Sequence, residues 1–166
     1  MSFDLFLATF RDGAKAPADA AAARAVLERH RYDRRPQFGA HDVHLADGSH
    51  VEMYAKGLDC GGEPFRGVMF ALGELGEAIA SFIFEFSRAA GCVIVPPMEP
   101  PCVLLPREDL AAHLPAAMGN ALRPIPVASG AELLVAPNGG YDGGRAYRDH
   151  VVRGSGCDPV SPHDAA

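Results

Sequence analysis

Apolar and polar positions change their spacing several times along the chain, and each change predicts an element. Residues 3–10 (FDLFLATF) are rich in aromatic and branched side chains and read as a strand. The run from Pro17 to His30 has strong helix propensity, with Pro17 suited to a first turn. Two strands, His41–Leu45 and Ser49–Tyr54, meet across Asp47-Gly48, and Phe65–Leu72 follows after Gly61-Gly62. Glu74–Ala90 reads as a long helix stopped by Gly91. Cys92–Val95 and Cys102–Leu105 are short extended segments on either side of Pro96-Pro97-Met98-Glu99-Pro100-Pro101. Arg107–Leu114 reads as a short helix and Ile125–Ala128 as an edge strand. Ser129-Gly130-Ala131-Glu132 has capping-box spacing and opens a final helical turn through Val135.

Two of these segments can be read further. At about 100° per residue, Glu74, Glu77, Ser81, Glu85 and Arg88 share one side of the long helix. Leu75, Ala78, Ile79, Phe82, Phe86 and Ala89 share the other, which predicts a broad apolar face packed on a sheet. Phe84 falls off that face. It is expected either to be covered by a neighbouring loop or the tail, or to stand exposed as a partner-binding anchor. In the hairpin, a two-residue loop would mix apolar and charged side chains on each face. A three-residue loop, Ala46-Asp47-Gly48, pairs Val43 with Val51 and leaves Met53 on the same side. The other face then carries His44 opposite His50 and Asp42 opposite Glu52, while His41 turns inward as a structural residue.

The order β-α-β-β-β-α-β predicts an α+β fold, with a mainly antiparallel sheet and two main helices on one face. This is a ferredoxin-like variant with additions, followed by short C-terminal helices. Residues 1–136 carry these signals as a single domain. Residues 137–166 hold six Gly and three Pro in 30 positions and read as a Gly/Pro-rich tail.

Composition narrows the function. The chain has 166 residues, 48% of them apolar, which excludes a wholly disordered protein. At this size about 69% of the unfolded surface is buried on folding, enough for a core without staples. Uncharged apolar runs such as Ala78 to Phe84 are too short to cross a bilayer. With 15 Lys+Arg against 21 Asp+Glu the net charge is −6, which argues against a general nucleic-acid binder. The start Met1-Ser2-Phe3-Asp4 has no basic region and no long apolar region of a secretory signal, so a cytoplasmic location is expected.

Candidate chemistry centres on the hairpin. Like charges directly opposed in a sheet destabilise it, so Asp42 facing Glu52 beside two imidazoles is either a solvated surface or a site for a cation. His44, His50, Asp42 and Glu52 have the donor types that suit zinc or another divalent metal. No nucleophile is placed beside them. Phosphate-loop, dinucleotide-fingerprint, H-E-x-x-H and G-x-S-x-G patterns are all absent. The four cysteines, Cys60, Cys92, Cys102 and Cys157, form no C-x-x-C pair; Cys92 and Cys102 read as buried hydrophobes and Cys60 as a loop thiol. Asp109 and His113 are four apart and read as a surface pair. The run Arg24, Arg29, His30, Arg31, Arg34, Arg35 reads as a solvated helix end.

The opening Met1-Ser2-Phe3-Asp4-Leu5-Phe6, together with Asp109–Pro115 and Ser129–Leu133, resembles a loose family of short uncharacterised bacterial proteins. The resemblance transfers no activity and no catalytic residue. It implies a small bacterial cytoplasmic protein, of the size at which interaction proteins such as toxin-immunity partners are common. The sequence therefore leads to a non-enzymatic protein that meets a protein partner through a sheet face or the Phe84 helix edge. The alternative is a metal-binding domain, or small metal-dependent enzyme, built on the hairpin cluster.

Overall fold

A computed structural model describes residues 2–59, 62–97 and 99–138. Ten strands and four α-helices follow in order: β1 (Phe3–Ala8), β2 (Phe10–Arg11), β3 (Ala14–Lys15), α1 (Ala20–Leu27), β4 (Arg31–Arg35), β5 (Ala40–His44), β6 (His50–Tyr54), β7 (Gly67–Leu72), α2 (Glu77–Ala90), β8 (Val93–Val95), β9 (Cys102–Leu105), α3 (Ala116–Ala121), β10 (Arg123–Pro126) and α4 (Gly130–Asn138). Short 3₁₀ turns occupy Pro36–Phe38 and Glu108–His113. Eight strands form one sheet in the order β10-β9-β8-β1-β7-β6-β5-β4, and β2 and β3 pair separately. Every pairing in the large sheet is antiparallel except β9 with β10.

This is the expected α+β class. β1 lies between β7 and β8 and runs antiparallel to both, and each crossover from the ends of the β4–β7 meander is a helix. A ferredoxin-like unit has two strands between its helices. Here there are four, one more than the three the sequence pattern marks, because the basic run at Arg31–Arg35 forms β4 and not the end of a helix. Helix α1 is correspondingly short: Ala22 N–H donates to the Asp19 carboxylate at 2.9 Å, so the helix starts after Pro17. Helix α2 ends where expected, with Gly91 at φ 72°. Ser129 and Glu132 cap α4 as their spacing predicts: Glu132 N–H donates to Ser129 Oγ at 3.2 Å, and the Glu132 carboxylate accepts from Ala128 N–H at 2.8 Å. The Gly/Pro-rich segment expected at 137–166 lies, apart from the last residues of α4, outside the described residues.

Helices α1 and α2 cover one face of the sheet, and α4 packs beside α2. Phe70, Phe82 and Phe86 stand at the centre of that core, their rings in edge and tilted contacts with centroids 5.9–6.2 Å apart. The acidic side of α2 (Glu77, Ser81, Glu85, Arg88) is exposed, as its periodicity requires. The other face is only half covered. There the 3₁₀ turn at Glu108–His113 and α3 bring Leu110, Leu114 and Met118 onto Val93, Val103 and Leu105. No helix among the described residues is long and apolar enough to cross a membrane.

Candidate functional site

The uncovered half of the second face is formed by β4, β5, β6, β7 and β1. Its geometry follows from the hairpin register, which is the one the apolar pattern selects. Val43 faces Val51, Asp42 faces Glu52 and His44 faces His50. The loop closes with Leu45 N–H donating to the Ser49 carbonyl at 2.8 Å, and Gly48 takes the left-handed conformation at φ 86°. Asp47 fastens the turn by accepting from both the backbone and the hydroxyl of Ser49, and these bonds hold its carboxyl below the usual carboxylate range.

Continuing this register across the neighbouring strands arranges the open face in rows. One row runs Arg31, His44, His50. The next runs Asp33, Asp42, Glu52, Ala71, Asp4. The third runs Arg35, Ala40, Tyr54, Met69 and Phe6, and ends at Val95 of β8, which packs on the covered cluster. Side chains two apart on a strand share a face, so adjacent rows are separated by about 7 Å.

The four residues read as metal ligands therefore lie on one patch, but the groups around them are already engaged. Arg35, from the adjacent β4, hydrogen-bonds the Asp42 carboxylate and reaches Glu52 at 3.4 Å. The cation between the opposed carboxylates is a guanidinium. Its pairing, first through the hydrogen bond to Asp42, strengthens the charged form of Arg35. Glu52 also accepts from Tyr54 O–H at 2.6 Å, which raises the phenol's pKa. His44 Nε2–H donates to the Asp33 carboxylate at 3.0 Å, and the His44 and His50 ring centroids are 6.5 Å apart. Among the described residues, no three His, Cys, Asp or Glu side chains gather in a metal-holding group.

Phe84 is not an exposed anchor. It retains 8% of its surface, and Val127 and Glu132 line the same groove beside it. The covering segment is the approach to α4, one of the two outcomes the helix pattern left open. Asp109 and His113 take other partners: Asp109 pairs with Arg107 at 2.5 Å, and His113 Nδ1 accepts from Asp12 N–H at 3.3 Å. His41 turns inward with 1% exposure and donates from Nε2 to Asp59 at 2.7 Å, beside Arg34. Cys92 is buried against Thr9, its thiol pushed up to about 11 by desolvation, and Cys102 is buried in the core. Cys60 and Cys157 lie outside the described residues.

What sequence reading missed is the third row. Phe6 is 46% exposed in the middle of a strand, and Met69 and Tyr54 beside it are half-buried. A solvated sheet face carries polar side chains at such positions. The strand FDLFLA shows the anomaly in its alternation, since Phe6 takes the place of a polar residue between Leu5 and Leu7. Phe38 adds an aromatic ring, 66% exposed, on the turn between β4 and β5, lining a hollow with Tyr54. Compared with protein-family models, curated proteins and solved structures, the chain matches none, so geometry alone supports a reading of this face.

Proposed function

We propose that the chain is a non-enzymatic interaction protein of a bacterial cytoplasm that meets a protein partner through the open half of its sheet. One observation carries this reading: Phe6 is exposed, with half-buried Met69 and Tyr54 beside it, at the centre of a face that the same sheet covers elsewhere. Aromatic side chains held on a rigid strand lose little entropy on binding and serve as anchors.

The edges of the sheet support a face-on approach. Edge strand β4 is Arg-Tyr-Asp-Arg-Arg, and edge strand β10 contains Pro124 and Pro126. Charge on one edge and missing N–H donors on the other both resist addition of a further strand. A partner is left with the face.

Affinity capture from extracts of the producing cell tests the reading, using the full chain, Phe6→Ala/Met69→Ala and the helix-side control Glu77→Gln. One protein held in stoichiometric amount by wild type and control, and released by the double variant, is the expected result. Identical retention by all three chains overturns it.

A further inference from the structure

The open face also carries information about what it would bind. Its second row places four carboxylates, Asp33, Asp42, Glu52 and Asp4, across five strands, broken only by Ala71. Arg35 and His44 engage three of them from within the face. Asp4 is exposed and has no ion pair among the described residues. Histidines aside, the three rows hold four carboxylates against the two guanidiniums of Arg31 and Arg35, on a chain of net charge −6. A groove of about 830 Å³ continues this row past the hairpin, lined by Asp33, Asp42, Glu52, His44 and His50 with Arg35 among them, and adds Glu74.

From this charge pattern we infer that the partner is basic, laying lysine or arginine side chains along the acidic row while an apolar side chain seats on Phe6, Met69 and Tyr54. The inference rests on the interaction reading above and adds the chemistry of the partner. Rows about 7 Å apart require a cationic group and an apolar group at that spacing on the approaching surface. The exposed width, from β1 to β4, is about 19 Å at 4.8 Å per strand, room for a helix about 10 Å across. Complementary charge fixes the orientation of such a segment, because its cations must fall on the acidic side of the aromatic row.

Amide NMR titration of the full chain tests this with two 14-residue amphipathic helical peptides, one of leucine and lysine and one of leucine and glutamate. The lysine peptide is expected to shift amides of β1, β5, β6 and β7 and to bind about tenfold tighter than the glutamate peptide. Asp4→Asn/Glu52→Gln is expected to weaken it by about fivefold, while Glu77→Gln leaves it unchanged. The spectra report directly that each variant is folded. Equal response to both peptides overturns the basic partner and leaves the docking face standing. Absence of shifts on the face, or shifts confined to the acidic side of α2, overturns both.

Discussion

The two ends of the eight-stranded sheet bury their strands differently. In β9, Cys102 and Leu104 face the helix-side core while Val103 and Leu105 face the smaller cluster under the Glu108–His113 turn and α3. All four are buried. In β5, Val43 faces the same core, but Asp42 and His44 face the uncovered side. A strand covered on both sides needs a continuous apolar run, whereas one covered on a single side needs alternation. Cys-Val-Leu-Leu and the Asp-Val-His of β5 show the two patterns. The doubly covered end serves stability, while the open end is free to carry chemistry. Phe6, Met69 and Tyr54 sit on the open side yet do not follow its polar rule.

The largest test of this contrast sets Leu104→Ala against Phe6→Ala. A fully buried leucine lost from β9 is expected to cost about 2–5 kcal/mol, through lost transfer energy and the cavity left behind. Phe6→Ala, on the exposed row, is expected to cost less than about 1 kcal/mol. Urea unfolding measures both. Similar losses would mean that the open face is part of the core and break the comparison.

A second test concerns the covered end at alkaline pH. Burial raises the Cys92 thiol from 9.0 to about 11, so the folded chain holds this proton longer than the unfolded chain does. Its contribution is complete below pH 9.0 and falls as pH rises through about 11. Across that window wild type should lose on the order of 2 kcal/mol more stability than Cys92→Ala. Parallel stability curves for the two chains would refute the assignment. The smallest effect belongs to the open end. Arg35→Gln leaves Asp42 opposite Glu52 without its guanidinium, and should lower the urea midpoint slightly at low salt. Because Arg35 is exposed and both carboxylates are partly so, the gap should close as salt rises; a gap unchanged by salt would contradict a screened surface network.

Much of the fold was legible in local pattern. The hairpin register followed from Val43, Val51 and Met53, the end of α2 from Gly91, and the start of α4 from Ser129 and Glu132. The arginine-rich strand β4 was not legible, since a run of charged residues has no apolar alternation to mark it. Missing β4 had a direct consequence at the candidate site. Without that strand, the opposed Asp42 and Glu52 invited a metal ion; with it, Arg35 is beside them. The covering of Phe84 was likewise open, because the helix pattern shows only that the residue is off the main face.

By itself the sequence determined the α+β class, the register inside its hairpin, the end of α2, the capped start of α4 and the exposed acidic side of α2. All of these depend on neighbours a few residues away, where side-chain periodicity and hydrogen-bond spacing are encoded directly. Only the tertiary structure decided the order of strands in the sheet. That order places Phe6 beside Met69 and Met69 beside Tyr54, and sets Arg35 against Asp42 and Glu52. These contacts join strands separated by other elements, so their partners are chosen by packing of the whole sheet against its helices.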